Sequence, residues 1–71
     1  MNEEKLNLSL RKFLKNVGIT SQRHIEEKVR DYLKSSKTRT SKKIKISANL
    51  VSEELNLNEN IEGEIDIEIS N

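Results

Sequence analysis

Cysteine and proline are both absent from this 71-residue chain, and its aromatic residues are Phe13 and Tyr32 alone. Without cysteine there is no disulfide framework and no thiolate metal site of the zinc-ribbon kind. The two glycines, Gly18 and Gly63, stand far apart, so neither a phosphate-binding loop nor a dinucleotide fingerprint is present. His24 is the single histidine and has no cysteine beside it, which leaves no metal set and no nucleophile, base and orienting group that can be named together. No enzyme and no cofactor are expected.

Long hydrophobic runs are missing as well, since no apolar stretch approaches the roughly 18 residues of a membrane span. The first ten residues, MNEEKLNLSL, carry acids where a secretory leader carries bases, so a cytoplasmic protein is expected. Only 32% of residues are hydrophobic, which leaves a thin core in a chain near the lower size limit for independent folding. Self-association, as a homodimer, or association with another protein is the expected remedy.

Bases are absent from the last third. Residues 1–45 hold all 13 Lys and Arg against five acids, or +8, and residues 46–71 hold seven acids and no base, or −7. The two halves are expected to neutralise each other within one fold or across a dimer.

What is present is periodic. Leu6, Leu10, Phe13, Leu14 and Val17 share one stripe at 3.6 residues per turn and predict a helix over 3–17, capped by Asn2 with Glu3 and Glu4 in its first turn. Gly18 reads as its stop, with Ile19 closing back on Leu14. Thr20 or Ser21 then caps a second helix over 21–34, with Ile25, Val29, Tyr32 and Leu33 as its stripe. Residues 35–42 read as a basic, solvated linker.

Period 2 follows. Ile44, Ile46, Ala48 and Leu50 alternate with polar residues in a strand over 43–51, and Ile61, Gly63, Ile65, Ile67 and Ile69 alternate with acids in a strand over 61–69. Setting Leu50 opposite Gly63, Ala48 opposite Ile65, Ile46 opposite Ile67 and Ile44 opposite Ile69 keeps the isoleucines on one face. Val51, Leu55 and Leu57 fall out of phase, which predicts a bulge at Ser52–Glu54 and a turn at Asn58–Asn60. The expected fold class is α+β: a single small domain, residues 1–71, of two helices packed on a two-stranded antiparallel β-ribbon in the order ααββ. A homodimer that joins two ribbons into a larger sheet would resolve the open edges.

The acids of the last strand line one sheet face, as a solvated face does, and the pattern is nonspecific for a metal. Gly18, Ile19 and Thr20 match the turn of helix-turn-helix DNA-binding proteins, and that resemblance implies Gln22, Arg23 and His24 at base edges and Lys28 at a phosphate. Leu14 and His24 depart from the motif, which has a small residue at the first position and a β-branched residue at the second. The run RKFLKNVGITSQRHIE, the chain length and EGEI before a short acidic strand resemble a family of small bacterial proteins known as a domain of unknown function. That resemblance implies a cytoplasmic bacterial protein and supplies no activity or ligand. The preferred reading is a non-enzymatic interaction module, with nucleic-acid binding through the Gly18–Lys28 corner and the basic linker as the alternative.

Overall fold

The computed structural model describes residues 1–35 and 41–68. It contains one helix, α1 (Glu3–Ser35), and two strands, β1 (Lys42–Ser52) and β2 (Leu57–Ile67), and so has the α+β composition expected. The chain divides into two compact units, Met1–Thr38 and Arg39–Asn71. Among the described residues no helix is long and apolar enough to cross a membrane.

The helix starts where its cap was expected. Asn2 Oδ1 accepts from the Lys5 amide at 3.0 Å, and the Asn2 carbonyl accepts from the Leu6 amide at 3.1 Å. The Lys5 amide, one of those left without an intrahelical partner, is thereby satisfied, and the Leu6 amide makes the first bond of the helical ladder. Glu3 and Glu4 occupy the first turn and Lys34 the last, each with the sign that the helix dipole favours. At the far end the Ser35 hydroxyl donates to the carbonyls of Asp31 at 3.1 Å and Tyr32 at 3.3 Å.

The corner between two helices is not formed. The expected helices 3–17 and 21–34 are one continuous helix of 33 residues, about 50 Å long at 1.5 Å per residue. Gly18 has no positive φ, so it does not adopt the left-handed stop conformation. A glycine in a helix interior costs only about 1 kcal/mol relative to alanine, and the chain has no proline to enforce a break. Continuing through Gly18 keeps the backbone hydrogen bonds that a corner would have to replace with caps. Beyond it, Gln22 Nε2 donates to Glu26 Oε1 at 2.8 Å and Glu26 pairs with Arg30 at 3.5 Å, both with i, i+4 spacing. Ile19 therefore does not close on Leu14. It lies five positions along the same helix, about 140° around its axis, and remains 48% exposed.

β1 and β2 form a two-stranded antiparallel sheet with an unbroken register from Lys42↔Ile67 to Ser52↔Leu57. Relative to the expected pairing, β2 has moved four residues along β1. Leu50 faces Glu59, Ala48 faces Ile61, Ile46 faces Gly63 and Ile44 faces Ile65. The shift is even, so no side chain changes face. Ile69, the expected partner of Ile44, lies outside the described residues, as do linker residues 36–40.

The turn sets this register. It lies at Glu53–Asn56, not at Asn58–Asn60, and no bulge interrupts the ladder at Ser52. The Asn56 amide donates to the Glu53 carbonyl at 3.1 Å, and the Leu55 amide donates to the Ser52 hydroxyl at 3.4 Å. Asn56 has φ 52°, the left-handed region that asparagine tolerates better than most residues. The out-of-phase residues are thus sorted. Leu55 sits in the turn at 75% exposure, Val51 sits on the polar face at 65%, and Leu57 joins the apolar face opposite Ser52.

Candidate interaction surfaces

Two apolar surfaces stand out, one on each unit. On α1 no residue is buried. Leu6, Leu10, Phe13 and Leu14 are exposed, while Val17, Ile25, Val29 and Tyr32 are half-buried. In one continuous helix the two expected stripes do not line up. Val17 and Ile25 are eight positions apart, about 80° around the axis, whereas Leu14 and Ile25 are eleven apart, about 20°. The apolar surface therefore slews around the helix between its halves and meets along the Leu14–Ile25 line.

The second surface is one face of the ribbon. Alternation places Ile44, Ile46, Ala48 and Leu50 of β1 on the same side as Leu57, Ile61, Gly63, Ile65 and Ile67 of β2. Ile67 is the one buried hydrophobic among the described residues, at 9% exposure, while Ile61 near the middle is 55% exposed. Lys42 and Glu59 are the charges on this face, and they stand towards opposite ends of it.

The other face is polar and has its own order. Lys43 faces Asp66 and Lys45 faces Glu64, so facing charges are opposite in sign, an arrangement that contributes a few tenths to ~1 kcal/mol per pair. Towards the turn, Asn49 Nδ2 donates to Asn60 Oδ1 at 2.9 Å, Asn58 Oδ1 at 3.1 Å and the Glu59 carbonyl at 3.3 Å. This amide clasp was not anticipated from the sequence. Its signal in the sequence is the spacing of Asn58 and Asn60, residues that equally suit the expected turn.

Charge is segregated by strand. β1 carries Lys42, Lys43 and Lys45 with no acid, and β2 carries Glu59, Glu62, Glu64 and Asp66 with no base. Among the described residues no group of three or more His, Asp or Glu side chains is placed to hold a metal ion.

The residues expected to contact nucleic acid lie mid-helix. Gln22, Arg23, His24 and Lys28 are all exposed, and Gln22 is engaged with Glu26. With no turn at Gly18, they do not sit at the start of a separate recognition helix, and Thr20 and Ser21 are interior helix positions, not caps. Arg23 and Lys28 are five positions apart, about 140° around the axis, and so do not share one face.

A shallow depression of about 460 Å³ lies over the middle of the ribbon, bounded by Lys45, Ile46, Ser47, Glu62, Gly63 and Glu64. Four of these six, Lys45, Ser47, Glu62 and Glu64, belong to the polar face, and the Ile46–Gly63 pair lies between them.

Comparison with known proteins adds a family and no activity. No curated protein and no solved structure gave a match to the chain. One family model matches residues 1–68, nearly the whole length, and by that match the chain belongs to the family of unknown function DUF6494.

Proposed function

We propose that this chain is a non-enzymatic, self-associating module whose partner is a second copy of itself. The observation that carries this reading is the exposure of its apolar side chains. Ile67 alone is buried among the described residues, while Leu6, Leu10, Phe13, Leu14 and Ile61 are between 42% and 55% exposed. A two-stranded ribbon is marginal in water, and a helix draws most of its stability from packing an apolar face. Removing apolar area from water is worth roughly 25 cal/mol per Å², so an interface of standard size, roughly 800 Å² per partner, supplies what neither unit has by itself.

The composition supports the same reading. With 35% charged residues and a net charge of +1, the polar surface keeps the chain in solution while its apolar faces find each other. In this reading it acts in the bacterial cytoplasm without a cofactor. Light scattering after gel filtration tests it directly. A mass that rises above the 8.2 kDa of one chain as concentration increases is expected. A mass that stays at one chain throughout would remove self-association.

A further inference from the structure

Gly63 is the least explained residue of the ribbon. A glycine inside a strand weakens it, because it contributes no side chain to the sheet and loses more chain entropy on folding than any other residue. Two reasons within the chain would justify it, a left-handed backbone or a crowded neighbour. Neither applies, since Gly63 has no positive φ and a Cβ built there meets nothing within 4 Å. What remains is a close approach from outside, into the open space above this residue on the apolar face.

On the foundation of the self-association just described, we propose that two ribbons stack apolar face to apolar face with their ends reversed, Ile61 of each copy entering the space above Gly63 of the other. Ile61 is 55% exposed and lies two residues from Gly63 on the same strand and the same face. A knob and a hole so placed are self-complementary. One two-fold axis at the level of the Ser47–Glu62 pair inserts each Ile61 above the partner's Gly63, with β2 over β2. The same axis lays β1 over β1 and sets Ile46 against the partner's Ala48. Large residues meet small ones on both strands, as interdigitating sheet faces require.

Charge selects this orientation. With the ends reversed, Lys42 of one copy and Glu59 of the other come to the same end of the stack, twice by symmetry. With the ends aligned, Lys42 meets Lys42 at one end and Glu59 meets Glu59 at the other. The alternative of joining ribbons edge to edge under two-fold symmetry fares worse. It sets β1, which carries only bases, beside β1, or β2, which carries only acids, beside β2, and it leaves the apolar face uncovered.

Gly63→Leu separates a face-to-face stack from an edge-to-edge sheet. Within the chain the new side chain enters open space, so the circular dichroism of the ribbon should be retained. In the stack it occupies the site of the partner's Ile61, and the dimer should weaken about tenfold or more, equivalent to ~1.4 kcal/mol. An unchanged dissociation constant would overturn the stack while leaving self-association intact. A wild-type chain that is monomeric at every concentration would overturn both. A second pair of variants is independent of Gly63. Lys42→Glu and Glu59→Lys should each self-associate more weakly, by roughly threefold to tenfold, because each places like charges together twice. Their equimolar mixture should regain wild-type affinity, since both end pairs are then opposite in sign. A mixture no tighter than the separate variants would overturn the reversed orientation.

Discussion

Along α1 the hydrogen bonds of the backbone close within one turn, whereas the ribbon joins residues as distant as Lys42 and Ile67. The two regions therefore respond differently to a weak residue. Gly18 lies in the helix interior, where it removes a single residue's worth of propensity, and the bonds on either side carry the helix through. In the ribbon the decisive positions are few and nonlocal, because a turn moved by two residues at each strand shifts the whole ladder by four. Charge follows the same division. Bases and acids mix along α1 as i, i+4 partners such as Glu26 and Arg30, while the ribbon holds its bases on β1 and its acids on β2. Local order tolerates mixing. Nonlocal pairing uses segregation, because facing residues from two strands must attract.

The largest effect should come from breaking the helix where a corner was expected. Gly18→Pro removes a backbone donor and places a ring against the preceding turn, which costs ~3 kcal/mol in a helix interior. Far-UV circular dichroism should show a large loss of helical signal. A signal equal to wild type would mean that a chain reversal already exists at Gly18.

Gly18→Ala tests the same point with the opposite sign. A Cβ there meets nothing within 4 Å and the backbone is not left-handed, so alanine should stabilise α1 by about 1 kcal/mol. Were Gly18 a left-handed stop, alanine would destabilise instead. Thermal denaturation read at 222 nm decides the sign.

The turn of the ribbon should be next in size. Asn56 holds φ 52°, where alanine pays a left-handed penalty of roughly 1 kcal/mol. Asn56→Ala is thus expected to lower the denaturation midpoint, and Asn56→Gly to match or exceed wild type. Equal midpoints for the alanine and glycine variants would show that this conformation does not hold the register.

Smallest is the amide clasp on the polar face. Asn49→Ala removes the donor shared by Asn58, Asn60 and the Glu59 carbonyl, all of it exposed to solvent, so a loss of about 0.5 kcal/mol is expected. Amide hydrogen exchange near Asn58–Asn60 should accelerate. Protection unchanged from wild type would reduce the clasp to a surface decoration.

How much of this was readable in advance follows the same contrast between local and nonlocal order. The Asn2 cap, the acids of the first turn, the apolar spacing along α1 and the alternation that gives the ribbon its two faces are all local patterns, and each was legible residue by residue. Gly18 is ambiguous in the sequence because the residues Gly-Ile-Thr suit a corner and also survive inside a helix. Only the balance of propensity over the flanking turns separates the two. The register is ambiguous for a different reason. Matching isoleucines fixes parity and nothing more, so pairings that differ by four residues look equally good until the turn is known. That turn depends on Asn56 and the Ser52 hydroxyl, which compete in the sequence with Asn58 and Asn60 for the same role. The nucleic-acid reading of Gln22, Arg23, His24 and Lys28 depended on the corner and lost its presenting geometry with it. Gly63 could be seen as an odd residue in an isoleucine strand, but the open space above it could not.

Self-association is the central claim, and sedimentation equilibrium of the unmodified chain over a wide concentration range tests it most directly. A rise from one chain of 8.2 kDa towards twice that mass is expected as concentration increases. A single species of 8.2 kDa at every concentration would contradict it.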